Sequence, residues 1–296
     1  MLKSPFNYIG GKYRLLQQLL PLFPVKINTF VDLFTGGLDV SLNVRAASTH
    51  CNDINHYLIS VYTDFQRCPL EQLLADIGGR IAHYRLSKTN EEGFLQLRAD
   101  YNATHDPLLL FLLTCYGFNH QLRFNSRGEF NNPFGRNRSE YNANIQANLI
   151  RMHRRIKAFQ FTALNFKDFD VSHLRTGDFL YADPPYLISC GSYNDGKRGF
   201  EGWSEADDQQ LFELLDGLNA RNVQFALSNV VSHKGQVNRG LIEWAGKYNT
   251  HHINYRYNNS SYHQKDRQPD TDEVLITNYK NYGLQNLWLD SEPIVV

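Results

Sequence analysis

One pattern near the amino terminus constrains the fold of this chain more than any other. A short apolar run at 29–34 ends in the turn Thr35-Gly36-Gly37. A helix-like stretch at 38–47 follows, and a second run ends at Asn52-Asp53. A strand, a glycine turn, a helix and another strand are how a parallel sheet begins, so the sequence predicts an α/β fold.

Helices alone are predicted after the second strand. Helical spacing with proline or Asn/Asp punctuation occurs at 71–77, 91–101 and 107–116. The stretch 123–136 (RFNSRGEFNNPFGR) predicts a polar hairpin with Ser126-Arg127-Gly128 at its tip. A long helix is then predicted at about 142–158.

Strand-like sequence resumes after that helix. Apolar runs of strand length lie at 159–164, 178–182, 223–227, 251–255 and 273–277, with helices predicted at 205–218 and 241–248. Sheet-forming segments therefore flank the helical part. We expect one domain built from 1–57 and 140–296, interrupted by a mostly helical insertion at 58–139.

Charge and cysteine content narrow the function classes. The 30 basic and 30 acidic residues give no net charge and a pI near 7.2, so a nucleic-acid partner would require basic residues segregated on one face. No stretch approaches the ~18 apolar residues of a membrane span, and the first residues have no signal-peptide core. We expect a cytoplasmic chain without a membrane partner. The four cysteines (Cys51, Cys68, Cys115 and Cys190) form no CxxC pair, which predicts reduced thiols and no metal site.

The tetrapeptide Asp183-Pro184-Pro185-Tyr186 follows directly after the predicted strand 178–182. Ligands of open α/β folds bind at this edge of the sheet. Asp183 supplies an acceptor, and Pro184 fixes a turn that can aim a carbonyl at the same point, so the two can hold both hydrogens of one amino group. Tyr186 offers a flat face on which an extruded base can stack. An ordinary strand-ending turn is the alternative interpretation, and the context favours function.

The glycine turn at 35–37 and the acidic strand end at Asp53 indicate an adenosyl ligand. Glycines let the backbone approach a ligand closely, and an acidic side chain about 20 residues further on can accept from ribose hydroxyls. The turn is not GxGxxG, which disfavours a nicotinamide oxidoreductase. Asn7-Tyr8-Ile9-Gly10-Gly11-Lys12 lacks the spacing of a phosphate-binding P-loop.

Together these motifs carry a resemblance. NYIGGK, FVDLFTGG, ND, NSRGEFNNPFGR and ADPPY occur in the order seen in Dam-type adenine-N6 DNA methyltransferases. The runs FVDLFTGGLDVSLNV and TDEVLITNY look especially similar to the Dam enzymes of T-even phages. The resemblance covers nearly the whole chain. It implies a Rossmann-like, S-adenosylmethionine-dependent methyltransferase sheet with a target-recognition insertion.

The resemblance also implies roles for individual residues. The positions expected to contact or line the S-adenosylmethionine site are Tyr8, Lys12, Asp32, Phe34, Gly36, Asp53, Phe166 and Asp183. Asp183, Pro184 and Tyr186 would hold a flipped adenine. Positions expected to contact double-stranded DNA are Phe118, Asn119, Arg123, Asn125, Pro133 and Arg136, with Arg123 reading a guanine. The resemblance suggests GATC as the target, although the segment 117–122 and Asn137 depart from bacterial Dam enzymes.

Several alternatives stay open at this point. Methylation of the cytosine N4 amino group uses the same chemistry, and a catalytically inactive DNA-binding relative would keep the same fold. RNA is disfavoured because Arg123 and its hairpin suit a duplex major groove. We expect a monomer or weak dimer, in bacteria or phage-infected cells, with a cognate restriction nuclease as one possible partner.

Overall fold

The computed structural model describes residues 1–188, 202–253 and 271–280. Its strands are β1 (Thr29–Asp32), β2 (Ser48–Asn52), β3 (Phe159–Thr162), β4 (Phe179–Ala182), β5 (Gln224–His233), β6 (Gln236–Val237), β7 (Asn249–Ile253) and β8 (Thr271–Thr277). Its helices are α1 (Leu16–Leu19), α2 (His56–Arg67), α3 (Leu70–His83), α4 (Glu91–Thr104), α5 (Pro107–Tyr116), α6 (Ala143–Ile156), α7 (Glu205–Ala220) and α8 (Arg239–Ala245). No helix of the described ranges is both long and apolar enough to span a membrane.

One mixed sheet organises the molecule in the order β3-β2-β1-β4-β5-β8-β7, with β6 paired to β5. The five strands from β3 to β5 are parallel, whereas β8 runs antiparallel to both β5 and β7. The chain reverses its direction of winding between β1 and β4. Such a switch point opens a crevice at the carboxyl ends of the strands. The predicted α/β class with a Rossmann-like sheet is confirmed.

Local sequence explains where the helices begin. Asn55 accepts from the backbone N–H of Leu58 at the start of α2, and Asn90 caps α4 in the same way. Asp106 precedes a proline at the first position of α5, which is a strong start signal. Ser204 and Asp207 form a capping box on α7.

The insertion is built around α5, which is buried on all sides. Every residue from Leu108 to Tyr116 is buried, as expected for a helix that is apolar all round. Its hydrophobic cluster also includes Cys51 of β2 and Phe159 of β3, so the helices share a core with the sheet. The division at 58 and 139 stays a prediction.

The predicted hairpin forms at the carboxyl side of α5. Phe124 and Phe130 pair as an antiparallel bridge, and the N–H of Asn125 donates to the carbonyl of Glu129 at 2.9 Å. Gly128 adopts a φ of +75° at the tip, and a Cβ there would collide with the Tyr57 hydroxyl. Only glycine therefore fits this turn without strain.

Three sequence expectations differ in detail from the structure. The stretch 38–47 is a series of turns and not a regular helix, because Leu38 has a φ of +68° and nearly every residue of 38–42 is buried. A one-sided amphipathic helix does not fit such surroundings. Strand β5 extends to His233, well beyond 227. The predicted strand 251–255 is observed at 249–253, and residues 254 and 255 lie outside the described residues, as does Cys190.

Candidate active site

A cavity of about 460 Å³ lies at the switch point, where β1, β2 and β4 end. Every residue expected to contact cofactor or target base lines it: Tyr8, Lys12, Asp32, Phe34, Gly36, Asp53, Phe166, Asp183, Pro184 and Tyr186. Carboxyl ends of neighbouring parallel strands meet at one edge, which explains how positions so far apart in sequence come together.

The glycine turn after β1 forms the floor of the cavity. Gly36 has a φ of +43°, and a Cβ there would lie 2.9 Å from the ring of Tyr8. Its N–H donates to Asp53 Oδ2 at 2.8 Å, while its carbonyl accepts from the Tyr62 hydroxyl at 2.7 Å. The turn therefore needs glycine, and the ring of Tyr8 packs directly on it.

Asp53 holds the backbone at the end of β2. Besides Gly36, it accepts from the N–H of Asn55 through Oδ1 at 2.8 Å. Burial raises the pKa of its carboxyl above the ordinary value, and these two N–H donors oppose that rise. The two hydrogen bonds fix the position of the side chain.

Asp32, the last residue of β1, is almost fully buried. Its Oδ2 accepts from Ser41 and Thr35, while no hydrogen-bond partner of Oδ1 is found among the described residues. Burial raises the pKa of Asp32 to about 7. A buried carboxyl oxygen without a partner costs free energy, which is typical of a site that receives a ligand donor.

A ring of polar contacts surrounds Asp183, which follows β4. Lys12 Nζ lies 2.8 Å from Asp183 Oδ2 and 3.5 Å from Glu273 Oε1. The Tyr186 hydroxyl lies 2.8 Å from Asp183 Oδ1 and 3.0 Å from Glu273 Oε1. Burial alone would lower the pKa of Lys12, but Asp183 and Glu273 together raise it, so the amine is charged. Lys12 Nζ also lies 5.0 Å from the ring centroid of Tyr186.

Aromatic rings form another wall of the cavity. Phe34, Phe166 and Trp203 lie with their ring centroids 5.3–5.6 Å apart. They border the acidic end of the site and provide apolar surface beside it. A cavity lined by both carboxylates and aromatic rings can hold a ligand that is both cationic and aromatic.

Sequence reasoning missed Glu273 as a site residue. It begins the predicted strand 273–277, but the sequence pattern does not give the direction of that strand in the sheet. Because β8 is antiparallel to β5, its beginning lies at the edge where the parallel strands end. Glu273 therefore reaches the site through a strand direction that only the structure shows.

Most residues expected to contact DNA are exposed on the insertion. Phe118, Asn119, Arg123, Pro133 and Arg136 are exposed, and Asn125 is half-buried. Leu122 and Phe124, on either side of Arg123, line the cavity, so this arginine stands at its border. The side chain of Asn7 donates to the carbonyl of Asn119 at 2.9 Å and joins the amino-terminal motif to the insertion.

The side chains of Asn125 and Arg136 already form hydrogen bonds or an ion pair within the protein. Asn125 organises the hairpin tip, since its Oδ1 accepts from the N–H groups of Arg127 and Glu129. Arg136 forms an ion pair with Glu91 of α4. Their contact with DNA stays a prediction. Among the described residues, no group of three or more His, Cys, Asp or Glu side chains could hold a metal ion.

The chain is similar in sequence to proteins named as methyltransferases and methylases. The chain is 48% identical over 283 residues to the Type II methyltransferase M.FokI of Planomicrobium okeanokoites, covering 95% of this chain and 43% of that protein. It is 46% identical over 291 residues to the modification methylase StsI of Streptococcus sanguinis, covering 96% and 44%. It is 29% identical over 260 residues to the DNA adenine methylase of Escherichia coli K12, covering 86% and 88%.

The chain spans less than half the length of the first two relatives. The particular similarity to T-even phage Dam enzymes stays a prediction. Residues 8–272 match the family described as D12 class N6 adenine-specific DNA methyltransferase, which uses S-adenosylmethionine as methyltransferases generally do. The chain therefore belongs to the D12 class of N6 adenine-specific DNA methyltransferases.

Proposed function

We propose that this chain transfers a methyl group from S-adenosylmethionine to the N6 amino group of adenine in double-stranded DNA. One observation carries the proposal. Asp183, Pro184 and Tyr186 stand at the end of β4, on the wall of an acidic cavity at the switch point of the sheet. Membership of the family supports adenine over cytosine as the methylated base.

The residues of the cavity fit the proposed cofactor. S-adenosylmethionine carries a sulfonium and an ammonium group, and the cavity offers Asp32, Asp53 and Asp183. The buried Oδ1 of Asp32, without a partner among the described residues, suits a cationic donor, and Asp53 suits the ribose hydroxyls. Phe34 and Phe166 suit the adenine ring. When bound, the sulfonium supplies an electrophilic methyl carbon.

The chain's own residues supply position and charge stabilisation. The side chain of Asp183 and the carbonyl of Pro184 would accept from the amino group and so hold its nitrogen in position for the methyl group of the bound cofactor. The same acceptors stabilise positive charge that develops on nitrogen in the transition state. Asp183 need not be a strong base, because the proton can leave after transfer.

The insertion supplies the DNA contacts in this proposal. An adenine inside a duplex has its amino group engaged in pairing, so the base must leave the stack. Tyr186 offers a ring on which it can stack, and Arg123 stands exposed at the cavity border. Arginine bidentate to guanine is the commonest specific contact in the major groove.

GATC is the target that the Dam resemblance suggests, and relatives named as modification methylases support a role in restriction–modification with a cognate nuclease. Sequencing that detects methylated bases in DNA from cells expressing this chain tests both target and function. We expect methylated adenines in one short sequence with the wild type and none with Asp183→Asn. DNA without methylated adenine in either strain would overturn the proposal.

A further inference from the structure

Glu273 closes the ring of contacts around Asp183 and has no role in the proposed function so far. We propose that Glu273 is a positioning residue that accepts the hydrogen bonds of Lys12 and Tyr186 and so frees the oxygens of Asp183 for the adenine amino group. The inference rests on the proposed function, which it extends by one residue.

Lys12 and Tyr186 compete with the adenine amino group for the oxygens of Asp183. Its Oδ2 faces the Lys12 ammonium at 2.8 Å, and its Oδ1 faces the Tyr186 hydroxyl at 2.8 Å. Both oxygens thus already have donors, one of them charged. An incoming amino group needs acceptors at the same place, so a second acceptor within reach of both donors is required. Glu273 Oε1 lies 3.5 Å from the amine and 3.0 Å from the hydroxyl.

Glu273 also changes how strongly the positive charge of Lys12 acts on Asp183. With Glu273 present, one ammonium group is shared between two carboxylates. Without it, Lys12 would keep the Gly10 carbonyl, 3.1 Å from Nζ, and would have Asp183 as its one acidic partner within ion-pair distance among the described residues. A charge-assisted hydrogen bond in a largely buried site would make that carboxylate a poorer acceptor. The side chains of Asp183 and Glu273 have similar exposed fractions, 17% and 18%. Solvent therefore screens the attraction of Lys12 to the two carboxylates to a similar extent.

The sheet holds the backbone of Glu273 on both sides. Glu273 lies within β8 and is paired with Val230 of β5 on one side and Ile253 of β7 on the other. Its backbone is therefore fixed by the sheet, and its carboxylate reaches the ring from a strand that bears no other group of the site. Among the described residues, five titratable side chains interact electrostatically with the Asp183 carboxylate: Lys12, Asp32, Tyr181, Tyr186 and Glu273.

The test is Glu273→Gln, which keeps the shape of the side chain and removes its charge. We expect single-turnover methylation to slow by roughly ten- to a hundredfold, less than for loss of the acceptor Asp183 itself, while KM for cofactor and DNA changes little. Burial raises the pKa of Asp183 most, Lys12 opposes that rise, and Glu273 raises the pKa further by like-charge repulsion. Removing its charge should therefore move the acid limb of the rate profile to lower pH.

Two further variants make the result unambiguous. Glu273→Asp keeps the charge and should retain more of the rate and the wild-type acid limb. Asp272→Asn is the matched control, because Asp272 is the preceding residue of β8 and bonds the exposed His252 at 2.9 Å. A Glu273→Gln enzyme with wild-type rate and pH profile would overturn the inference. If the wild-type chain itself does not methylate adenine, the proposed function fails instead.

Discussion

The cavity at the switch point and the proposed recognition surface of the insertion, which carries Arg123 and Arg136, differ in the burial of their charged groups. The cavity gathers Asp32, Asp53 and Asp183 out of water, where each carboxylate must be held by hydrogen bonds or by Lys12. The recognition surface displays Arg123 and Arg136 in solvent on a hairpin and its flank. A buried charge costs free energy unless it is paired in a fixed geometry. An exposed charge costs little free energy, and its substitution has a small effect on stability. Chemistry should therefore be sensitive to single changes in the cavity, and target choice to changes on the surface.

The largest expected effect is that of Asp183→Asn. Loss of this acceptor should lower single-turnover methylation by roughly 10³-fold while DNA binding stays unchanged, because the side chain lies at a sheet edge outside the core. Asp170→Asn is the control, since Asp170 is exposed and does not line the cavity. More than about a tenth of the wild-type rate in Asp183→Asn would show that the cavity does not perform the chemistry.

A smaller effect is expected for Asp53→Ala. Two backbone N–H groups, those of Gly36 and Asn55, lose their acceptor, and so do the proposed ribose hydroxyls. Cofactor affinity measured by calorimetry should fall by roughly ten- to a hundredfold, and affinity for DNA should not change. Tyr8→Ala should act in the same direction. Unchanged cofactor binding in both variants would remove these residues from the cofactor site.

Arg123→Ala should change target choice more than affinity. A guanine contact is worth roughly 1–3 kcal/mol against the wrong base, so methylation rates on the target and its single-base variants should converge. The control is Arg127→Ala on the same hairpin, where Arg127 pairs with Glu129 at 3.2 Å. If Arg123→Ala lowers affinity for all DNA equally and reduces its salt dependence, Arg123 contacts phosphate.

The smallest effect concerns stability. The pKa of Asp32 is raised from 3.8 to about 7 by burial, so the unfolded chain loses this proton before the folded chain does. The stability present at low pH is therefore lost as the pH rises from about 4 to about 7. Asp32→Asn removes this dependence, and its melting temperature should gain on the wild type across that window. A constant difference between the two proteins would show that Asp32 does not titrate there.

Much of the site could be predicted because its residues follow strands. Asp32, Asp53 and Asp183 end or directly follow three predicted strands, and parallel strands bring such positions to one edge. The starts of helices α4 and α5 could also be predicted from the sequence, since Asn90, Asp106 and Pro107 are strong start signals.

The remaining features depend on tertiary contacts that sequence patterns do not contain. Leu38–Ala47 has apolar residues at a spacing compatible with a helix, but the left-handed Leu38 and burial on several sides decide its conformation. Glu273 joins Lys12 and Asp183 only because β8 pairs in antiparallel register with β5. The engagement of Asn125 within the hairpin tip is likewise a local detail of the turn.

The most direct test of the central claim is nucleoside analysis by mass spectrometry after the purified chain has acted on duplex DNA with S-adenosylmethionine. The account predicts N6-methyladenine with the wild type and Asp170→Asn, and none with Asp183→Asn. N4-methylcytosine, or no methylated nucleoside from a folded chain that binds both cofactor and DNA, would contradict it.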